Sequence, residues 1–270
     1  MPELPEIETI ARGLAATITG KTIVSVDVRL PKMAIAPPGV DFDRALEGQT
    51  IDRVSRRGKY AILGLSGGQS LVTSLRMTGR LLVQRPGEPE SPGTHIVLYF
   101  TDETRLSFAD VRTFGRMRLV EPGEPWDESL GVEPLSSGFT QEGFIGMLSG
   151  RTTPVKALLL DQRRVAGIGN IYACEALWEA GIRPSRPAKA LTKAAIRRLH
   201  DAIVDVLQRA VDMRGTSVDD YVDVNGLRGG FQNVLSVYGR LGEPCLRCGT
   251  PIVRTVLAQR GTWWCRACQR

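Results

Sequence analysis

Four cysteines in the last thirty residues constrain the fold of this chain more than any other feature. They form two pairs, Cys245 with Cys248 and Cys265 with Cys268, with two residues inside each pair and sixteen between the pairs. This spacing is typical of a zinc site in which four thiolates surround one tetrahedral ion. A segment this short cannot bury an adequate hydrophobic core, so metal coordination would supply its folding free energy. We predict one zinc ion, structural because four thiolates leave no position for water.

Two disulfides are the alternative interpretation of the same cysteines, and the start of the chain argues against them. It carries Glu3, Glu6 and Glu8 where a secretory signal has basic residues followed by an apolar run. No stretch approaches 18 uncharged apolar residues either, so we expect a cytosolic protein without a membrane span, in which disulfides are rare. A redox dithiol would need only one pair. The fifth cysteine, Cys174, lies among apolar residues and is predicted to be a packed core thiol.

Charge favours a polyanionic partner for the cysteine-rich end. The whole chain has a formal net charge of +6, which permits nucleic-acid binding without proving it. Residues 241–270 alone contain five arginines against a single acid, Glu243.

The first 130 residues read as one domain built mainly of short strands. Apolar residues at helical spacing predict a helix over 3–18, and alternation of apolar and polar residues predicts a strand over 24–30. Short strands separated by turn residues indicate a sandwich or a barrel. The further strands are predicted at 59–65, 70–76, 80–84, 94–100, 104–108 and 116–120.

Helices dominate the second half. A linker rich in Pro, Gly and acids covers 121–138, and helices are predicted from Thr153, over 171–180 and over 192–213. Glycine-rich residues 214–233 are weakly periodic and are predicted to form a mobile loop. The predicted domains are therefore 1–130, 131–240 and the zinc module 241–270.

The N-terminus offers a nucleophile of low basicity. Pro2 can occupy a first helical position, and Glu3 and Glu6 complement the helix dipole, which is the ordinary interpretation of such a start. Methionine before a small residue is usually removed, however, and this would expose a secondary amine. An α-amino group has a pKa of about 7.7–8.0, so a useful fraction is neutral near pH 7 and can form an iminium with an aldehydic sugar. Glu3 is then a candidate general acid or base.

Taken in order, six short motifs, the last of them in the zinc hairpin, resemble the formamidopyrimidine-DNA glycosylase family over the whole chain. This resemblance implies an α+β fold with an N-terminal β-sandwich flanked by helices, a helical helix–two-turn–helix domain and a zinc-finger β-hairpin. The motifs are PELPE at 2–6, RRGKY at 56–60, LRMTG at 75–79, DVRTFG at 110–115, GIGNIY at 167–172 and RGTWWC at 260–265.

The resemblance also implies an activity, a bifunctional glycosylase and AP lyase of base excision repair. The enzyme flips an oxidised purine out of duplex DNA, and the Pro2 amine displaces the base as a Schiff base before β,δ-elimination cleaves the strand. Glu3 transfers a proton during sugar-ring opening, and Lys59 contacts the phosphate of the lesion and supports catalysis. Lesion-containing double-stranded DNA is the expected partner of a monomeric enzyme in the bacterial cytoplasm, bound to the nucleoid.

Six further side chains are implied to bind DNA. Met77, Arg112 and Phe114 would fill the gap left by the flipped nucleotide, with Arg112 reading the opposing cytosine and Phe114 wedged into the stack. Asn170 and Arg260 would contact phosphates. Lys156 stands in the first turn of a helix, where a cation is unfavourable for the dipole, and the family suggests a contact with a base or a phosphate.

Two alternatives remain open on the sequence. The endonuclease VIII branch, which removes oxidised pyrimidines, usually has glycine where this chain has Leu4 and lacks the Arg112 and Phe114 pairing. A non-catalytic DNA-damage binding protein could keep the scaffold, although the presence of Pro2, Glu3 and Lys59 argues against it. One departure concerns Ser74, where the family often has a phosphate-binding histidine, so DNA affinity through that strand is expected to be lower.

Overall fold

The computed structural model describes residues 1–218 and 220–270, and their contacts group them into two compact units. The first unit comprises Met1–Asp127 and Met213–Gln232, and the second comprises Glu128–Asp212 and Asn233–Arg270. The zinc module therefore groups with the helices, and most of the predicted loop 214–233 groups with the N-terminal residues. Residue 219 of that loop lies outside the described residues.

The first unit is a sandwich of two sheets covered by a helix. One sheet has the strand order β1-β7-β8-β6, and the other has the order β2-β9-β5-β4-β3, in which only the β2–β9 pairing is parallel. The elements are α1 (Leu4–Ile18), β1 (Ile23–Val28), β2 (Ala34–Ile35), α2 (Phe42–Leu46), β3 (Ile51–Arg57), β4 (Tyr60–Leu65), β5 (Ser70–Ser74), β6 (Arg80–Gln84), β7 (Thr94–Phe100), β8 (Arg105–Ala109) and β9 (Arg116–Val120).

One apolar core joins both sheets to α1. Ile10 and Leu14 of α1 are completely buried in the same cluster as Leu63 of one sheet and Phe108 of the other. Burial of apolar area contributes about 25 cal/mol per Å², and this core is the main source of stability for the unit. It fixes α1, and hence the residues before it, on a rigid framework.

The second unit consists of four helices and a hairpin. They are α3 (Gln141–Leu148), α4 (Val155–Leu160), α5 (Asn170–Glu179), α6 (Lys193–Asp212), β10 (Val253–Leu257) and β11 (Arg260–Trp264). The hairpin turns at Ala258 and Gln259, which both have positive φ, of 50° and 58°; this matches the two-residue turns that suit the twist of paired strands. Among the helices of the described residues, none has both the length and the apolar character needed to span a membrane.

The helix and strand predictions agree closely with these elements, apart from four that were missed. Two edge strands, β2 and β3, and the helices α2 and α3 had no sequence prediction. The exposed or half-buried residues of β3 do not alternate cleanly, because Asp52 and Arg53 are both exposed. β2 has only two residues, too few for any periodicity.

Candidate active site and nucleic-acid interface

A buried pair of carboxylates organises the N-terminus in the first unit. Glu3 is the N-cap of α1 and forms a capping box with Glu6, whose Oε2 accepts the Glu3 N–H at 2.7 Å. The two side chains are only 2% and 1% exposed. Pro2 is buried immediately before them, whereas Met1 is 38% exposed. The capping box therefore holds Pro2 and Glu3 side by side at the start of a rigid helix.

Glu6 also fastens the segment that follows α6, a role that the sequence interpretation missed. Its Oε1 accepts the Thr216 N–H at 2.7 Å, and its carbonyl oxygen accepts the Tyr221 hydroxyl at 3.5 Å. Burial, with the nearby Glu6 charge, raises the pKa of Tyr221, so this phenol stays a donor at neutral pH. The 210 residues that separate Glu6 from Thr216 leave no local pattern from which the contact could be predicted.

The segment 213–232 of the first unit is also held together by hydrogen bonds and an ion pair among its own residues. Ser217 is 1% exposed, and its hydroxyl oxygen accepts the Gly229 N–H at 2.9 Å. Asp223 forms an ion pair with Arg214 and accepts the Leu227 N–H at 2.9 Å. The mobility predicted for this loop stays a prediction, but its described residues have defined partners.

Lys59 stands on the turn between β3 and β4. Gly58 precedes it with a φ of 55°, a conformation that glycine adopts without strain. The Arg56 guanidinium braces the turn, because it donates to the Gly58 carbonyl at 3.1 Å and to Glu8 of α1 at 3.0 Å. Burial of Glu8 opposes its charge, yet the hydrogen bonds from Arg56 and Arg12 outweigh burial and lower its pKa. The turn that carries the half-buried Lys59 is thus held in a fixed position relative to α1.

The three side chains predicted to fill a DNA gap lie together. Met77 follows β5 and is 41% exposed, and Phe114 precedes β9 and is 51% exposed. Arg112 joins them: its guanidinium lies 5.0 Å from the centre of the Phe114 ring and 3.2 Å from the Met77 sulfur. Large exposed apolar side chains grouped around one cation are unusual for a surface without a partner.

Asp110 holds this cluster in shape and is a second residue whose role the sequence did not reveal. It is 1% exposed and accepts hydrogen bonds from the Thr78 hydroxyl, from the Gly115 N–H at 2.7 Å and from the Arg112 N–H at 3.2 Å. One carboxylate therefore joins the loop that carries Met77 to the loop that carries Arg112 and Phe114.

Close backbone packing explains the glycine of the LRMTG motif. The Gly79 N–H donates to the Leu75 carbonyl at 3.0 Å, and a Cβ on Gly79 would lie 2.3 Å from that oxygen. Ser74, where the related histidine was expected, is 8% exposed at the end of β5.

In the second unit, Lys156 lies inside the protein, and its expected contact with a base or a phosphate stays a prediction. Its side chain is completely buried, and its ammonium donates to Asn170 Oδ1 at 2.7 Å, to Thr262 Oγ1 at 2.6 Å and to the Gly261 carbonyl at 3.3 Å. A buried ammonium needs such partners because its desolvation is costly. Lys156 therefore joins α4, the start of α5 and β11.

Asn170 and Arg260 occupy the positions that this network fixes. Asn170 is the first residue of α5, and its amide also donates to the Gly261 carbonyl at 3.0 Å. Arg260 is exposed at the start of β11, directly before that carbonyl. A helix N-terminus with a neighbouring exposed guanidinium suits an anionic ligand.

Replacing Lys156 with methionine is expected to loosen this network. The Thr262 hydroxyl and the Asn170 carbonyl oxygen would lose a charged donor, and each such loss costs about 1–3 kcal/mol. We expect a lower melting temperature and weaker DNA binding, measured by calorimetry and fluorescence anisotropy. The exposed Lys189, on the same unit, provides the matched control Lys189→Met. Equal behaviour of the two variants would contradict the assigned role.

The four cysteines are arranged for a tetrahedral metal. Their sulfur atoms all lie within 4.8 Å of one another, with Cys245 and Cys268 separated by 3.9 Å and Cys248 and Cys265 by 3.5 Å. Disulfide sulfurs are about 2.05 Å apart, whereas Zn–S bonds of about 2.3 Å place tetrahedral thiolates about 3.8 Å apart. The donor set and its spacing therefore fit one zinc ion.

Contacts with α5 hold the metal module in place. The Trp178 indole N–H points at the Cys245 sulfur at 3.4 Å. Arg247 stacks over the Trp178 ring at 3.9 Å and pairs with Glu179 at 2.9 Å. These contacts link the zinc ligands to the helix that begins at Asn170.

Cys174 is a completely buried residue of α5, as the sequence predicted. Burial raises the pKa of its thiol to about 11, so on the order of one molecule in a thousand carries the reactive thiolate at pH 8. We expect iodoacetamide to leave Cys174 unmodified whether or not a chelator is present, while chelation exposes the other four cysteines. Peptide mapping by mass spectrometry would test this, and labelling of Cys174 in the zinc-loaded protein would contradict it.

Comparison with known proteins places these features in one family. Residues 1–117 match the formamidopyrimidine-DNA glycosylase N-terminal domain, residues 130–222 match the helix–two-turn–helix domain of the same enzymes, and residues 242–270 match the zinc finger found in FPG and IleRS. The chain belongs to the formamidopyrimidine-DNA glycosylase family. The predicted family, the α+β fold class and the zinc ion are thereby confirmed.

Relatives match the chain from end to end. Formamidopyrimidine-DNA glycosylases from Heliobacterium modesticaldum and Enterococcus faecalis are 48% and 44% identical to it, and the matches cover 100% of this chain and 100% and 98% of theirs. A Lactococcus lactis structure, solved with DNA containing Fapy-dG, superposes with a TM-score of 0.92 at 36% identity and full coverage of both chains. The Thermus thermophilus MutM (FPG) structure gives 0.89 at 43% identity, covering 99% of this chain and 98% of that one.

Proposed function

We propose that this protein is a bifunctional DNA glycosylase and AP lyase that removes oxidised purines, 8-oxoguanine and formamidopyrimidines, from duplex DNA. The observation that carries the proposal is the buried Pro2–Glu3 pair at the start of α1, in a chain whose relatives are formamidopyrimidine-DNA glycosylases over their whole length. Family membership supports repair of DNA by base excision.

The chemistry begins once removal of Met1 makes the Pro2 ring nitrogen an α-amine. Its lone pair attacks C1′ of the damaged nucleotide while the bond from C1′ to the base breaks and the base leaves with a proton. Glu3 protonates the ring oxygen as the sugar opens, which yields the iminium between Pro2 and C1′. Loss of a C2′ proton expels the 3′ phosphate, and a second elimination expels the 5′ phosphate.

We propose that the cluster of Met77, Arg112 and Phe114 occupies the space that the flipped nucleotide leaves. The exposed Phe114 ring can enter the base stack, and insertion of apolar wedges between base steps is a known way to kink a duplex. Arg112 keeps several N–H donors that suit acceptor atoms of the opposing cytosine. The cluster is preorganised by Asp110, which lowers the entropic cost of binding.

Phosphate contacts are assigned to Lys59 in the first unit and to Asn170 and Arg260 in the second. Lys156 holds Asn170 and the backbone next to Arg260, so it acts on DNA binding through them. The segment 213–232 is proposed to close over the flipped base, since the Glu6 carboxylate joins it to α1 beside Pro2 and Glu3.

Replacing Arg260 with alanine is expected to weaken DNA binding more than catalysis. Removal of one phosphate contact should reduce the magnitude of the slope of log K against log salt by about 0.9, while the cleavage rate at saturating DNA is kept. Anisotropy titrations over a salt series would measure the change. Arg198→Ala removes the same charge from the exposed side of α6 and serves as control; an unchanged slope for Arg260→Ala would remove Arg260 from the interface.

Paired cleavage assays test the substrate class. We expect efficient cutting of duplexes containing 8-oxoguanine and little cutting of duplexes containing thymine glycol. Efficient cutting of only the second substrate would instead assign the chain the specificity of endonuclease VIII.

Assembly and location are proposed on the same basis. We propose that the protein is a monomer that acts in the cytoplasm on the DNA of the nucleoid. Light scattering of the protein with and without a lesion duplex would test the monomer, and a mass of two chains would contradict it.

A further inference from the structure

A groove lined by three arginines runs beside the zinc hairpin and has no part in the function described so far. Its volume is about 560 Å³, and we call it the arginine groove. The residues that line it are Arg183, Thr255, Trp264, Arg266, Gln269 and Arg270.

The charge of the arginine groove is not compensated by neighbouring acids. None of the side chains that line it is a carboxylate, and within residues 1–218 and 220–270 Arg183, Arg266 and Arg270 form no ion pair with an acidic side chain. Other arginines of the same module are paired, since Arg240 contacts Glu243 at 2.8 Å and Arg247 contacts Glu179 at 2.9 Å. Uncompensated guanidinium groups that face one cavity suit a ligand with several negative charges.

The arginine groove is rigid because buried contacts hold its floor. The Arg183 guanidinium lies over the Trp264 ring at 5.0 Å, and the Arg183 N–H donates to the Arg270 carbonyl at 3.1 Å. Gln269 is 1% exposed and joins the N–H of Cys265, at 2.8 Å, to the Ile182 carbonyl, at 2.9 Å. The zinc ligand Cys265 stands between Trp264 and Arg266 in the sequence, so the metal site fixes this part of the groove.

The groove continues toward the tip of the hairpin. A second cavity of about 190 Å³ shares Arg183, Thr255 and Trp264 with the first and extends to Val256 and Leu257, and Leu257 pairs with Arg260 across the hairpin. From Arg260 to Trp264 the strand advances about 13 Å, at roughly 3.3 Å per residue.

The aromatic residue of the groove favours phosphates over unpaired bases. Sites for single-stranded nucleic acid present open aromatic faces on which bases stack. Trp264 is only 8% exposed, and Arg183 lies over its ring. The accessible chemistry is that of the guanidinium groups.

We propose that the arginine groove binds the phosphate backbone of duplex DNA beyond the phosphate that Arg260 contacts. This inference rests on the proposed function, because it takes the same DNA as ligand. The groove extends the bound length of DNA and contributes to affinity, while the chemistry at the lesion does not require it.

Duplexes of two lengths test the proposal with the variant Arg266→Ala/Arg270→Ala. The short duplex ends near the Arg260 phosphate, and longer ones extend it by one helical turn, about ten base pairs, on either side. For wild type, one of the longer duplexes should bind more tightly, with a steeper salt slope. The variant should lose this increase in affinity with duplex length, and the magnitude of its slope of log K against log salt should fall by about 1.8 for two lost contacts. It should bind and cleave the short duplex like wild type.

Matched variants distinguish a loss of DNA binding at the arginine groove from the effects of a lower net charge or of misfolding. Lys193→Ala/Arg198→Ala removes two exposed charges from α6 and should keep the gain with length. Arg266→Lys/Arg270→Lys should restore much of it, and zinc content and melting temperature show whether each variant is folded. If folded Arg266→Ala/Arg270→Ala binds the longer duplex with the wild-type increase in affinity and the wild-type salt slope, the proposal is overturned. A groove that binds an acidic protein instead of DNA would give this same result. Failure of wild type to cut any lesion duplex would instead overturn the proposed function.

Discussion

Replacing Glu3 with glutamine is expected to slow release of the damaged base by about 10²–10⁴-fold, the usual contribution of a positioned acid–base group. Glutamine has nearly the same size and can still accept a hydrogen bond at the start of α1, so the fold should survive. It cannot transfer a proton to the sugar oxygen. Single-turnover cleavage of an 8-oxoguanine duplex measures the effect, and Glu47→Gln changes an exposed carboxylate as control.

Borohydride trapping connects that loss to a covalent intermediate. Reduction of the iminium between Pro2 and C1′ gives a stable tertiary amine link between protein and DNA, visible as a slower band on a denaturing gel. Wild type should be trapped on lesion DNA. Pro2→Gly, whose N-terminal amine belongs to the new glycine, should be trapped less efficiently, and Glu3→Gln should be trapped slowly. If wild type gives no adduct, the enzyme is not a glycosylase of this mechanism and the non-catalytic alternative gains support.

Removal of zinc is expected to abolish DNA binding, with the largest loss of stability of any change considered. Binding of structural zinc supplies about 10–16 kcal/mol to small modules of this kind, far more than a thirty-residue hairpin gains from its own core. Chelation should therefore unfold 241–270 and remove Arg260 from the interface. Zinc release, circular dichroism and anisotropy would be followed together, and added zinc should restore binding.

Cysteine variants give the control for chelation. Cys265→Ser removes one ligand and should reproduce the loss, whereas Cys174→Ser alters a buried thiol that lies outside the ligand set and should keep zinc and DNA binding, with a modest loss of stability. Full DNA affinity in a zinc-free protein would show that the module is dispensable for binding.

Local chemistry made part of this architecture predictable from sequence. The cysteine spacing predicts a metal site because ligand geometry requires it, and the alternation of apolar and polar residues in β1 and β9 is typical of sheets that bury one face. The helix α6 is predictable for the same reason, since Leu199, Ile203 and Val206 repeat at helical spacing and are buried. The chemical roles proposed for Pro2 and Glu3 rest on the pKa of an α-amine and on the family resemblance.

Contacts between distant parts of the chain could not be predicted. Lys156 shows why: its position in a first helical turn looked functional, but its partners Gly261 and Thr262 lie 105 and 106 residues away. The roles of Asp110 and Glu6 could not be predicted either, since the sequence does not indicate which N–H groups will donate hydrogen bonds to a given carboxylate. Such roles depend on tertiary structure, and no periodic pattern in the sequence indicates them.

The buried ammonium of Lys156 determines how the loss of one zinc ligand would affect the rest of the second unit. It joins a helix N-terminus to a strand whose fold depends on the metal, so Asn170 and Arg260 belong to one cooperative element and not to two independent ones. Interaction energies within such a network are not additive. Oxidation of a single zinc thiolate would then displace Asn170 as well as Arg260, and both of the phosphate contacts proposed for them would be lost in one event. A DNA-repair enzyme built this way is itself sensitive to the oxidants that create its substrates.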